Sequence, residues 1–245
     1  MGYNWHWGIY FDKIKGGEET YLSWLITGFG WTVAISLCSW IIALVLGGLI
    51  GTVRTTPRRW AVRLGDAWVE LFRNIPLLVQ FFLWFFVVPE LLPEKLSLWV
   101  KQEMPAKEFI TATVCLGLFT SARIAEQVRA GILSLPRGQR LAGLAMGFTL
   151  PQTYRYVLLP MACRIILPPL TSEFMNVFKN SSVAFAIGVL ELTFQARQMQ
   201  EDSEQGIETY LAVTVLYFIC AFVANRMMVW IENRTRVPGY ITAAK

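Results

Sequence analysis

The amino-acid sequence predicts an all-α integral membrane protein of five membrane-spanning helices. Three observations lead there: composition, the length of the apolar runs, and the alternation of basic with acidic segments. Of 245 residues, 55% are hydrophobic and only 16% charged, where a soluble domain carries about a quarter. Mean hydropathy is +0.45, and long runs rather than scattered core positions account for it.

Leu22 to Val53 is long enough to cross a bilayer with some tilt. Near its end Gly47 and Gly51 form a small-xxx-small pair that lets another helix approach closely. Ile75 to Val88 is too short to cross alone and needs the amphipathic turns from Trp60 to Phe72, with Pro76 marking the bend. Phe109 to Ala130 is the third span. The fourth runs roughly from Cys163 to Ile187 and is read as broken by Pro168-Pro169, and Tyr210 to Trp230 is the fifth. Pro89 to Glu108 and Glu191 to Glu208 are polar connections.

Basic residues set topology in such a chain. The arginine-rich segments 54–73, 129–164 and 226–245 alternate with 1–23, 89–108 and 191–208, each of which holds more acids than Lys and Arg. Five spans satisfy this alternation, with the N-terminus periplasmic and the C-terminus, including Arg236 and Lys245, cytoplasmic. The expected division is a periplasmic lead (1–21), a single transmembrane domain (22–238) and a short tail (239–245). The lead MGYNWHWGIYFDKIKGG is not read as a signal peptide, because no positive run precedes a short apolar core.

Two features stand out from this frame. Leu135 to Pro169, LPRGQRLAGLAMGFTLPQTYRYVLLPMACRIILPP, contains four arginines, and no acid occurs between Glu126 and Glu173. Leu141, Leu144, Ala145 and Phe148 make a short apolar face ending at Gly147, with Pro151 following where a helix does not easily continue and a second short segment stopping at Pro160. An idle amphipathic surface helix and a docking element both fit this pattern. The second feature is a pair of polar stripes inside spans, where ionisable groups are costly. Thr120, Arg123 and Glu126/Gln127 share one face of the third span. Ser172/Glu173, Asn176 and Lys179/Asn180 share one face of the fourth. Pairing along one helix or snorkelling to water would explain single residues. Two stripes argue for a polar path accepting a zwitterion, with Arg123 and Lys179 meeting carboxylates and Glu126 or Glu173 an ammonium.

Other chemistry finds no support. The chain lacks GxxxxGK[ST], GxSxG and HExxH, and its one histidine, His6, lies in the polar lead. Cys38, Cys115, Cys163 and Cys220 have no paired spacing and read as small buried residues. A membrane enzyme would need intramembrane nucleophiles or ligands, and a scaffold would not need two polar stripes. An ion-coupled secondary transporter usually has more spans or an inverted repeat. A five-span transporter without its own ATP site needs partners.

The stretch GQRLAGLAMGFTLPQTYRYVLLPMACRIILP resembles the "EAA" loop of ABC-importer permeases. Ala142, Gly147 and the closing Ile166-Leu167-Pro168 are matched to it, while Leu141 and Gly143 replace the usual Glu and Ala. The stretches Val69–Gln80 and Ala122–Arg129, and Lys179-Asn-Ser-Ser182 with Gly188 and Glu191-Leu192, resemble the polar amino-acid (histidine/glutamine/glutamate) permeases. Asn4–Ile9, Pro89–Lys95 and Cys115–Arg129 look most like the larger glutamate/aspartate subunit.

The resemblance implies a type I ABC importer permease fold, in the bacterial inner membrane, with a cytoplasmic coupling helix in a loop at about 135–160. It implies that Gln139, Leu141, Ala142, Gly143, Gly147 and Pro151 meet an ATPase subunit, while the polar stripes themselves make Arg123, Glu126, Glu173, Asn176 and Lys179, with Ser181 beside them, the expected lining of the path. The implied partners are two ATPase copies, a second and different permease, a periplasmic solute-binding protein, the amino acid and the lipid membrane, with no nucleic acid. ATP and Mg would be bound by the ATPase, and the permease itself would hold no cofactor or metal and catalyse nothing. Glutamate or aspartate is the implied cargo, with glutamine, histidine or arginine as alternatives.

Overall fold

A computed structural model describes residues 3–235, so the expected tail 239–245, with Arg236 and Lys245, lies outside the described residues. Among the described residues, nine helices follow a 3-10 turn at Trp7–Phe11: α1 (Tyr21–Val53), α2 (Arg59–Asn74), α3 (Leu77–Leu91), α4 (94–103), α5 (Lys107–Leu133), α6 (Arg137–Ala145), α7 (Leu150–Ile187), α8 (Leu192–Ser203) and α9 (Gly206–Thr235). Among the described residues, β pairing is limited to an isolated bridge between Lys13 and Thr20. Helices α1, α5, α7 and α9 are long and apolar enough to cross a membrane, and α2 with α3 makes a fifth when the broken pair is counted as one span. This matches the five spans expected. The polar connections are more ordered than expected, since 89–108 contains α4 and 191–208 contains α8.

Two corrections concern proline. The segment before Pro160 does not stop there, and Pro168-Pro169 do not break the fourth span: α7 stays helical through all three. A π turn at Tyr154–Leu158 precedes Pro160, with the Leu159 N–H bonded five residues back to the Tyr154 carbonyl. That widened turn gives the Pro160 ring room against the preceding carbonyls, so the helix survives a residue that normally ends it. Pro151 also begins rather than blocks a helix, since it sits in the first turn of α7, where a missing N–H costs nothing. The cysteines need a third correction. Cys115 and Cys220 are buried, but Cys38 and Cys163 are exposed, because apolar surroundings on a span do not require burial when lipid is the solvent.

The chain forms two compact units, each built from segments of the same long helices. One comprises the residues up to 40, 75–117 and 176–222. Its core gathers Ile9, Tyr21, Leu25, Leu192, Ala196, Met199 and Val213. Glu191 caps α8, accepting from the N–H groups of Phe194 (2.9 Å) and Thr193 (3.0 Å) and from the Tyr217 hydroxyl. The lead is tied to the start of α9. Glu208 accepts from the Tyr3 hydroxyl and from the His6 N–H at 2.8 Å, and the Tyr10 hydroxyl donates to its carbonyl at 2.9 Å.

The second unit comprises, among the described residues, 41–74, 118–175 and 223–235. Here Gly47 and Gly51 do admit a neighbouring helix. A Cβ on Gly47 would stand 2.7 Å from the Ser121 carbonyl, and one on Gly51 would stand 2.6 Å from the Ala125 carbonyl, so α1 packs backbone to backbone on α5. Just past α1, Arg54 is 9% exposed. Its Nε donates to Asp66 Oδ1 of α2 and its Nη1 to Glu126 Oε2 of α5, both at 2.7 Å. The Tyr154 hydroxyl donates to the Thr55 carbonyl at 2.8 Å and holds the start of α7 to the same corner.

Two predictions follow from these buried charges. Removing Glu126 would leave the Arg54 guanidinium buried with one partner, so Glu126→Ala should destabilise by about 3 kcal/mol in detergent unfolding. Arg54→Met combined with Glu126→Gln should recover most of that loss, and equal stability of Glu126→Ala and wild type would show the pair to be idle. Burial pushes the Glu191 carboxyl up to about 7, against the hydrogen bonds from Thr193, Tyr217 and Phe194 that favour the ionised form. A carboxyl raised on folding holds its proton more tightly in the folded state. Its contribution is complete at low pH and is lost as pH rises through about 7. The unfolding temperature should therefore fall between about pH 5 and pH 8, and Glu191→Gln should flatten that fall; parallel profiles would refute it.

Candidate functional site

The polar face of the third span meets that of the fourth within the second unit. Arg123 of α5 sits 3.1 Å through Nε from Glu173 Oε2 of α7, and Gln127 Nε2 donates to Glu173 Oε1 at 3.3 Å. These three, with Arg73, Phe119, Glu126 and Ala130, line a cavity of about 390 Å³. Glu173 is buried while the Arg123 side chain is half-exposed toward the cavity and lies over the Phe119 ring. Arg123 and Glu126 do not pair along their own helix. Glu126 is held instead by Arg54 at 2.7 Å, Arg129 at 3.4 Å and Arg73 at 3.6 Å.

The carboxylates therefore differ in availability. Glu126 faces three guanidiniums, so its charge is more than compensated. Glu173 faces one half-exposed guanidinium, and that pair can be exchanged for a ligand carrying both charges. Arg73, half-exposed, adds a second cation to the lining. Reasoning from sequence left Arg73 and Arg54 among the topology-setting arginines. The signal for Arg73 was present, since it lies in the Val69–Gln80 stretch.

Asn176, Lys179 and Ser181 belong to the other unit. Lys179 is exposed, Asn176 is half-buried, and Ser181 is fully buried with its hydroxyl donated to the Phe178 carbonyl at 2.8 Å. Among the described residues, no three His, Cys, Asp or Glu side chains are grouped to hold a metal.

The short basic helix is α6, and its end is closed by a full Schellman turn. The Phe148 N–H bonds the Gly143 carbonyl at 3.2 Å, and the Gly147 N–H bonds the Leu144 carbonyl at 3.0 Å. Gly147 takes φ +86°, a left-handed conformation that side chains disfavour. Directly after it, the Thr149 N–H donates to Gln152 Oε1 at 2.8 Å and starts α7. Ala142 and Pro151 are exposed, Gln139 is half-buried and Gly143 is buried. Leu141 (65%), Met146 (75%) and Leu144 are exposed too, so the apolar face of α6 is not spent on the chain's own core. The loop pattern that the stretch resembles puts nine residues between its glycine and a closing I-x-L-P; nine residues on from Gly147 end at Tyr156, so that closing element falls on Val157-Leu158-Leu159-Pro160, not on residues 166–168.

Residues 43–237 match the family model described as binding-protein-dependent transport system inner membrane component. The chain is 48% identical over 241 residues to the glutamate/aspartate import permease protein GltJ of Escherichia coli (strain K12), covering 98% of each chain. It is 33% identical over 215 residues to the probable glutamine ABC transporter permease protein GlnM of Bacillus subtilis (strain 168), covering 86% of this chain and 93% of that one. The crystal structure of an amino acid ABC transporter with histidines aligns at a TM-score of 0.74 and 27% identity, over 87% of this chain and 95% of that chain. The chain belongs to the inner-membrane components of binding-protein-dependent transport systems, and it is an ABC-importer permease with the type I permease fold.

Proposed function

We propose that this permease carries glutamate and aspartate inward, and that its ATP-driven motion enters through α6. The near full-length likeness to a glutamate/aspartate permease carries the choice of cargo. The cavity supports it. An acidic amino acid brings two carboxylates and one ammonium, and the lining offers the Arg123 and Arg73 guanidiniums with the Glu173 carboxylate. The ammonium and one carboxylate of such a ligand replace the Arg123–Glu173 pair charge for charge, and its second carboxylate meets Arg73. A neutral amino acid would match the Arg123–Glu173 pair but bring no second carboxylate to Arg73, which would stay on Glu126.

In this reading Gln139, Leu141, Ala142, Gly143, Gly147 and Pro151 form the ATPase-facing loop on the cytoplasmic side. Two ATPase copies bind ATP and Mg, a second and related permease completes the membrane pair, and a periplasmic binding protein delivers cargo. Asn176, Lys179 and Ser181, later on the fourth span, are proposed as path-lining positions within their own unit. The exposed apolar face of α6 gives an ATPase groove something to bury.

The experiment measures uptake and co-purification together in cells expressing the importer. Arg123→Ala should lower glutamate uptake more than tenfold and leave ATPase co-purification intact. Leu141→Arg, at an exposed position, should abolish co-purification and uptake in a protein that still inserts. Unchanged uptake in Arg123→Ala would remove the cavity from the path, and normal co-purification of Leu141→Arg would remove α6 from the interface.

A further inference from the structure

A second groove on the second unit shares no residue with the cargo cavity and only Pro151 with the proposed ATPase-facing loop. It measures about 810 Å³ and lies between the last turns of α1, helix α2 and the start of α7. Leu49, Val53, Leu64, Trp68 and Leu159 supply apolar wall, and among the described residues Arg58 and Arg155 are the charged ones that line it. No acid lines it, and neither guanidinium has a carboxylate partner among the described residues.

The helix beside it has three faces. Ala61, Gly65, Val69 and Phe72 are buried. Trp60 (65%), Leu64 (65%) and Leu71 (55%) form an exposed apolar stripe at helical spacing, and exposed Arg59 and Arg63 flank it. An apolar stripe beside arginines is how a helix lies at the boundary between headgroups and acyl chains. The α1 wall of the groove is the end of a membrane span, so the groove opens where lipid tails meet headgroups.

We infer that this groove binds one anionic phospholipid of the surrounding leaflet, with acyl chain along Leu49, Val53 and Leu64 and phosphate between Arg58 and Arg155. Charge decides the occupant. Two unpaired guanidiniums at the mouth of an apolar slot match a headgroup that is negative and tethered to hydrocarbon. A protein segment would have to bring both an apolar face and an acid, whereas the leaflet presents both at high local concentration.

The purified importer in detergent would be titrated with phosphatidylglycerol or phosphatidylcholine in mixed micelles, and bound lipid counted by native mass spectrometry. Phosphatidylglycerol should bind preferentially. Arg58→Ala with Arg155→Ala, both at exposed positions, should weaken it roughly twenty-five-fold, about fivefold per guanidinium. Leu64→Trp, which fills the slot without touching charge, should reduce retention of both lipids, and millimolar inorganic phosphate should not displace them. Equal binding of the two lipids, wild-type retention by the double variant, displacement by phosphate, or a protein subunit crosslinked through Leu64→Cys in the groove would each overturn the assignment.

Discussion

A single buried guanidinium constrains the second unit more than any other group. Arg54 leaves the end of a membrane span and cannot reach water, so it must find anions inside the protein. It takes Asp66 from α2 and Glu126 from α5, which ties three helices at one point. A buried ion pair adds little net stability, but leaving one of its charges unpaired is costly. Arrangements that separate α2 or α5 from Arg54 are thereby strongly disfavoured. The consequence reaches the cavity: with Glu126 committed to Arg54, Arg123 turns to Glu173, and that pair becomes the exchangeable one.

The helices solve a second problem in the same way at two places. Leu83–Val87 and Tyr154–Leu158 are π turns, and each is followed two residues later by a proline, Pro89 and Pro160. In both, the residue before the proline donates its N–H five positions back. At Pro160, inside the span Leu150–Ile187, ending the helix would leave backbone groups without partners where lipid supplies none. Widening one turn accommodates the proline ring and keeps the helix continuous.

This explains which parts of the structure were legible in the sequence. Hydropathy revealed the spans because a bilayer demands long apolar helices, and Gly47 with Gly51 revealed a helix contact because only small residues permit it. Proline was misread at 160 and 168–169 because its usual effect assumes water is available to the freed carbonyls. Cys38 and Cys163 were misread because burial was inferred from apolar neighbours. Arg54 was hidden for a related reason: the rule that places arginines at the membrane surface counts them without asking which are paired. Gly65 offered a clue, since a Cβ there would stand 2.5 Å from Arg54 Cγ, but that contact joins residues whose proximity only the fold creates. The polar stripes were legible by spacing, and their partners were not.

The proposed coupling then depends on stiffness. A helix of nine residues is marginal in water on its own, and a marginal helix would melt under load instead of transmitting it. α6 escapes this through its ends. The Schellman turn satisfies the last carbonyls, Gly143 lies against Thr153, and only Met146 to Thr149 separates α6 from α7. The Thr149–Gln152 bond fixes the angle at which the next helix starts, and the Tyr154 hydroxyl fastens that start to Thr55. A displacement of α6 therefore passes into the first turns of α7 with little slack. The same helix carries Glu173, so movement imposed at Gly147 bears on the Arg123–Glu173 pair that an acidic amino acid would have to open.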